Sequence, residues 1–260
     1  MDKKELIEKI IQKKEFSQLR EKDVLIAFEH FDFEKYSDEE KIKLTRNLLR
    51  KVFSAFFSRK IFSEKFFEKK TAEDILRKHL STRERMPFYK EIYGRVFSNI
   101  GKNASVIDLG AGINGLSYSH FKNIGANVEY TGVESINQVV SLLNHYFTKK
   151  HILAKYFHLS LFELEGIKEL IQKTKKPRVI FLLKVIDSLE MMERNYSKKL
   201  ISEIISLSDL IVISFATESM LKRKKFYAER KWLVQFVNDN FKVIDEFEFG
   251  GEKYIIFQKR

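Results

Sequence analysis

From Gly101 onward, short apolar runs alternate with helical stretches, and this alternation restricts the fold more than any other feature of the chain. The runs are ASVIDLG, NVEYTGVE, AKYFHL, RVIFLLK and DLIVISF, with connections long enough for crossover helices. Strands joined in this way lie parallel, in a sheet that helices cover on both faces. The last two runs, FKVIDEFEF and KYIIFQK, have no helix between them. Glu248-Phe249-Gly250-Gly251-Glu252 supplies a turn, so they pair as an antiparallel hairpin. The expected fold is α/β, a Rossmann-like seven-stranded sheet closed by a terminal hairpin.

The first hundred residues read as helices instead. Ser37 with Glu40, Thr71 with Asp74 and Ser81 with Glu84 have capping-box spacing, a side-chain oxygen three residues ahead of a carboxyl. Phe53, Phe56, Phe57, Ile61, Phe66 and Phe67 recur at helical spacing and read as a packing stripe. The chain divides on this reading into a helical extension over residues 1–100 and an α/β domain over 101–260. An apolar share of 44% is enough for a sizeable core. The absence of cysteine excludes disulfides, a thiolate nucleophile and a thiolate metal site. No metal-ligand spacing occurs among the histidines, so no metal is expected. The start, MDKKELIEKI, is charged rather than signal-like, and no apolar run approaches the roughly 20 residues that span a bilayer. A soluble, cytoplasmic chain without membrane contact is expected.

The net charge of +12 is concentrated. Lys41–Lys70 holds 10 basic residues against 2 acidic, and Leu221–Lys231 holds 6 against 1. Clustered positive charge suits a polyphosphate partner. Arg50, Lys51, Arg59 and Lys60 in the first block and Lys222, Arg223, Lys224 and Lys225 in the second are the candidate RNA contacts.

Chemistry concentrates in VIDLGAGINGL, Val106 to Leu116, an apolar strand entering a Gly-rich turn and then a helix. Gly110 and Gly112 let the backbone turn sharply and approach a ligand closely. The G-A-G-I-N-G spacing formally fits a dinucleotide turn as well. The acid inside the strand, in the form D-L-G-A-G, favours an S-adenosylmethionine (SAM) site, with Asp108 near the ligand's ammonium and Ala111 within the turn. Glu134 ends the second strand, where an acid can accept hydrogen bonds from both ribose hydroxyls. A third string, HLSTRERMPFY from His79 to Tyr89, contains Arg83 and Arg85, either of which could clamp a carboxylate bidentately. His79 itself reads as a capping or packing residue.

The string H-x-S-T-x-E-R, the Gly-rich strand turn, FLLK and later VISF together resemble the aminoglycoside-resistance family of 16S rRNA (guanine N7) methyltransferases. The resemblance covers roughly Thr71 to the carboxyl terminus. It implies a helical RNA-docking extension on a SAM-binding α/β domain, SAM as cofactor, and the small ribosomal subunit as partner, met as a monomer. It puts Arg85 on the cofactor carboxylate, Asp108, Gly110 and Gly112 around the methionine portion, Glu134 on the ribose and Ser160 at the adenine. Lys184 would face the reaction centre, with Asp187 three residues on as a second catalytic candidate. Two departures stand out: Ala216 follows Phe215 where the family has proline, and Gly115 stands where the family tends to have proline. Guanine N7 carries a free lone pair and needs no base before attack. Cytosine N4 is the alternative target, with Asp187 as acceptor. A small-molecule methyltransferase and a non-catalytic ribosome assembly factor with this fold are the remaining alternatives.

Overall fold

A computed structural model describes residues 1–53, 64–217 and 230–260. Helices fill the chain before the first strand: α1 (Lys3–Ile11), α2 (Glu21–Glu29), α3 (Asp38–Phe53), α4 (Glu64–Lys69), α5 (Ala72–Leu76), α6 (Leu80–Arg85) and α7 (Tyr89–Ser98). Two of the three expected capping boxes form. Glu40 N–H donates to Ser37 Oγ while Glu40 accepts from Ser37 N–H, and Thr71 and Asp74 make the same exchange. The third does not form. α6 begins two residues early with His79 at its N-cap and no side-chain cap. Ser81 Oγ turns back to His79 Nδ1 at 3.0 Å, and Glu84 accepts from Lys184 Nζ at 2.7 Å. A half-buried ion pair has taken the carboxylate that the cap would have used. Of the aromatic stripe, Phe67 is buried and Phe53 half-buried against the core. Phe56, Phe57 and Ile61 lie outside the described residues.

The seven runs become β1 (Asn103–Leu109), β2 (Asn127–Glu134), β3 (Ala154–His158), β4 (Arg178–Leu183), β5 (Leu210–Ala216), β6 (Lys242–Phe249) and β7 (Glu252–Gln258). They form one sheet in the order β3-β2-β1-β4-β5-β7-β6. The first five are parallel, while β7 runs antiparallel to both β5 and β6. Between them lie α8 (Tyr118–Asn123), α9 (Asn137–Lys149), α10 (Leu164–Lys173), α11 (Ile186–Met192), α12 (Tyr196–Ile204) and α13 (Lys231–Asn240). Helices on both faces explain why β1 and β4 are buried along almost their whole length. Strand order reverses between β1 and β4, and the crevice at the carboxyl ends of strands at such a switch point is where open α/β sheets place ligands.

The helical layer is fastened to the sheet beside that crevice. Leu19 bridges to Ile136 just past β2, Arg20 N–H donates to Ser135 O at 3.1 Å, and the Arg20 guanidinium pairs with Glu163 at 2.6 Å. On the other side Phe88 stacks on Phe249 with ring centroids 5.4 Å apart, holding the β6–β7 turn against the end of α6. Among the described residues no helix is long and apolar enough to cross a membrane.

Candidate active site

At the carboxyl edge of β1, Gly110 and Gly112 both adopt positive φ, +73° and +50°. Side-chain-bearing residues rarely enter that region, and here it turns the chain out of the sheet. Gly110 N–H and Ala111 N–H both donate to Val133 O at 3.0 Å, which ties the turn to β2. The Gly115 departure also has a steric cause. A Cβ there would lie 2.8 Å from the Tyr156 hydroxyl and 2.9 Å from the Tyr130 ring, so no residue larger than glycine fits beneath these two tyrosines. Gly115 N–H donates to the Tyr156 hydroxyl at 3.0 Å.

The turn borders a cavity of about 940 Å³, lined by Gly110, Ala111, Gly112, Glu134, Arg85, Lys184 and Asp187 among others. That is ample for a nucleoside-sized ligand. The structure therefore brings together seven of the nine predicted catalytic and cofactor residues. Asp108 and Ser160 are the exceptions: neither lines the cavity. Asp108 is fully buried behind the turn, where its Oδ2 accepts from Tyr130 OH at 2.6 Å and Asn114 Nδ2 at 2.7 Å. Burial pushes its carboxyl up, against those two hydrogen bonds. Its role in this geometry is to hold the turn. Ser160 Oγ is equally buried and donates to Asp23 at 2.9 Å.

One end of the cavity is a network of paired charges. Arg85 Nε donates to both oxygens of Glu252 at 2.9 and 3.0 Å, and both residues are almost fully buried. Burial opposes the charge of Arg85, but Glu252 alongside holds it firmly protonated. Lys184 Nζ bridges Glu84 at 2.7 Å and Glu252 at 3.1 Å, and Ser214 Oγ donates to Glu252. Lys184 is held at φ +55°, an unusual conformation for a lysine. Arg85 Nη1 approaches Asn114 Oδ1 at 3.5 Å, whereas Nη2 is buried without a protein partner. A buried guanidinium N–H left unsatisfied is costly, so this donor points to a ligand acceptor. Arg83 is exposed and takes no part. Asp187 lies nearby in a bidentate pair with Arg230, whose Nε donates to Oδ1 at 2.7 Å and whose Nη2 donates to Oδ2. His79 also lines the cavity, and burial, with Arg85 and Lys184 nearby, lowers it to about 4, so it stays neutral near pH 7.

At the other end Glu134 Oε2 accepts from Gly112 N–H at 3.0 Å, and Oε1 accepts from Ser135 N–H and Ile136 N–H at 2.8 and 3.1 Å. Burial outweighs those three amides and raises it to about 7. Asp23, from α2, shares this end; burial raises it to about 6, and the hydroxyls of Ser135 and Ser160 work against that rise.

Sequence reading missed Glu84 as a pairing residue, and it missed Glu252, Asn114 and Asp23 altogether. Two of them left a faint trace: Glu252 opens an apolar strand, and Asp23 abuts the apolar run VLIAF in α2. Of the candidate RNA contacts, Arg50 is spent on Glu15 at 2.6 Å. Lys51 is exposed at the cavity mouth, joined there by Lys78, which was not foreseen. Arg59, Lys60, Lys222, Arg223, Lys224 and Lys225 lie outside the described residues.

A seven-stranded sheet with an antiparallel closing hairpin and a cavity over a Gly-rich β1 turn defines the Rossmann-like fold of SAM-dependent methyltransferases. Residues 68–238 match the FmrO ribosomal RNA methyltransferase model, and the chain belongs to that family. Among characterised relatives, the 16S rRNA (guanine(1405)-N(7))-methyltransferase of Frankia casuarinae is 27% identical over 58% of this chain and 50% of its own length. The enzyme of the same name from Proteus mirabilis is 24% identical over 74% of this chain and 67% of its own. The chain thus spans about half to two thirds of these relatives. In fold it resembles the 16S rRNA methyltransferase RmtF, solved with S-adenosyl-L-homocysteine, at TM-score 0.78 and 18% identity over the full length of both chains. The 16S rRNA methylase RmtB gives the same TM-score at 16% identity, covering 100% of this chain and 99% of its own.

Proposed function

We propose that this chain is a SAM-dependent methyltransferase that modifies a base of small-subunit (16S) rRNA, with guanine N7 as the acceptor. The observation that carries the reading is the orphaned Arg85 Nη2, a buried cationic donor in the cavity beside the Gly110–Gly112 turn, within a segment that matches the FmrO family. Arg85 would hold the cofactor carboxylate, the Gly110–Gly112 backbone would lie under the methionine portion, and Glu134 would take a ribose hydroxyl at the acceptor position its backbone amides leave open. Bound there, SAM supplies a sulfonium-activated methyl, so positioning accounts for much of the rate.

The protein's remaining task is to orient the acceptor and exclude water. Lys184 is engaged by Glu84 and Glu252, and Asp187 by Arg230. Neither is a free base, which suits an acceptor lone pair that carries no proton. The same pairing of Asp187 disfavours cytosine N4, whose amine needs an acceptor to draw out its lone pair. Lys51 and Lys78 at the cavity mouth, with the basic blocks of residues 41–70 and 221–231, would meet rRNA phosphates. The helical extension over residues 1–100 would dock the subunit, with the enzyme working in the cytoplasm as a monomer.

Nucleoside mass spectrometry of 16S rRNA, after incubating small subunits with the protein and SAM, tests this directly. A new 7-methylguanosine is expected. N4-methylcytidine, or no new methylation despite SAM binding by calorimetry, overturns it. Changing Lys222, Arg223, Lys224 and Lys225 together to alanine should weaken subunit binding and flatten its dependence on salt. An unaltered salt slope would remove that segment from the interface.

A further inference from the structure

We infer that Asp23, carried by α2 of the helical layer, recognises the adenine base of the cofactor. The inference rests on the SAM reading of the cavity and adds to it a residue from outside the Gly-rich domain. Asp23 precedes all the turn motifs in the chain, yet it lines the same cavity as Glu134.

Its placement is built rather than incidental. Leu19 bridges to Ile136 and Arg20 pairs with Glu163, which together fix the start of α2 against the ends of β2 and β3. Asp23 Oδ1 accepts from Ser160 Oγ at 2.9 Å, and Oδ2 accepts from Ser135 Oγ. Those serines follow β3 and β2, on the side of the cavity away from the Arg85 network. An ionised carboxylate offers about four acceptor sites and no donor. Two are taken by the serines, so two remain. Glu134 spends three of its own on backbone amides and has one left for the ribose. An exocyclic amine presents two N–H donors, and Asp23 is the cavity-lining carboxylate at this end with acceptor sites to spare for it. Ser160, expected at the adenine, acts through this carboxylate: its hydroxyl aims Asp23 instead of meeting the ligand. Burial raises Asp23 to about 6, so it is mostly ionised and able to accept at neutral pH.

The test measures binding of S-adenosylhomocysteine and of S-inosylhomocysteine, in which a carbonyl replaces the adenine amine. Wild-type protein should favour the adenine form, and Asp23→Asn should erase most of that preference, lowering affinity for the adenine form roughly tenfold, as expected for a hydrogen bond to a charged group. Equal weakening of both ligands would mean that Asp23 only supports the fold, and unchanged binding would mean that it does nothing here; either result overturns the inference. Failure of wild-type protein to bind either ligand would instead sink the SAM reading itself. Should Asp23→Asn not fold, Ser160→Ala removes one of the two hydroxyls that aim the carboxylate, together with an acceptor for Phe162 N–H, and it should erode the same preference to a smaller degree. An intact preference in that variant counts against the inference.

Discussion

The two ends of the cavity hold buried charge by opposite means. At the Arg85 end, cations and carboxylates neutralise one another: Glu252 meets Arg85 and Lys184, and Lys184 also meets Glu84. At the Glu134 end, carboxylates are held by hydroxyls and backbone amides, and burial wins, raising Glu134 to about 7 and Asp23 to about 6. The first end is fixed by charge pairing. The second is poised to titrate, so a ligand that donates to these carboxylates changes their charge as it binds.

The largest effect should follow from breaking the paired end. Arg85→Ala leaves Glu252 buried with only Lys184 as a cation, and removing one member of a buried pair costs about 3–5 kcal/mol. Chemical denaturation should show that loss, together with loss of SAM binding. The double change Arg85→Met with Glu252→Gln should recover most of the stability and none of the binding. A single variant as stable as the parent would show that the pair does not anchor the fold.

That pairing explains why the site was only half legible from sequence. The β1 turn and Glu134 could be read because strand, glycines and acid lie within one short segment, where backbone geometry dictates residue type. The order of seven strands could be read for the same reason, since each run announces its own period. Glu252, Glu84 and Asp23 act across 167, 100 and 137 residues of chain. No local spacing encodes such partners. The H-x-S-T-x-E-R string did contain the answer, but Glu84 had two plausible uses, as a helix cap or as a partner for Lys184, and only the fold decides between them. Asp108 and Ser160 show the opposite case. Each stands where a ligand contact belongs, but internal donors, Asn114 and Tyr130 for one and the Asp23 shelf for the other, absorb them.

The titrating end gives a middle-sized effect with a definite sign. Glu134 has a folded value of about 7 against an ordinary 4.5, so the folded chain binds this proton more tightly than the unfolded chain. The stability it contributes is complete below about 4.5 and is lost as pH rises through about 7. Cofactor binding should run the other way, because ribose hydroxyls donate best to the ionised carboxylate. Affinity for S-adenosylhomocysteine should therefore strengthen on the order of tenfold between about pH 6 and pH 8. Calorimetry in buffers of different ionisation enthalpy should record a released proton. Glu134→Gln should bind more weakly and show a flattened pH dependence; a slope unchanged in that variant would assign the proton to another group.

The smallest effects sharpen the contrast most, because one hydroxyl is removed from each end. Ser214→Ala takes a single donor from Glu252, which keeps Arg85 and Lys184, so stability should fall by only about 1 kcal/mol. Ser135→Ala takes a donor from Asp23, which has no such ion pair to fall back on and relies on the Ser160 hydroxyl that remains. Because the Ser135 hydroxyl opposes the rise caused by burial, its loss should push the Asp23 carboxyl above about 6. Carboxyl NMR titration would follow that shift. If Asp23 stayed put while Ser214→Ala cost far more stability than one hydrogen bond, the charge-paired end would be the fragile one, and the difference drawn between the two ends would be reversed.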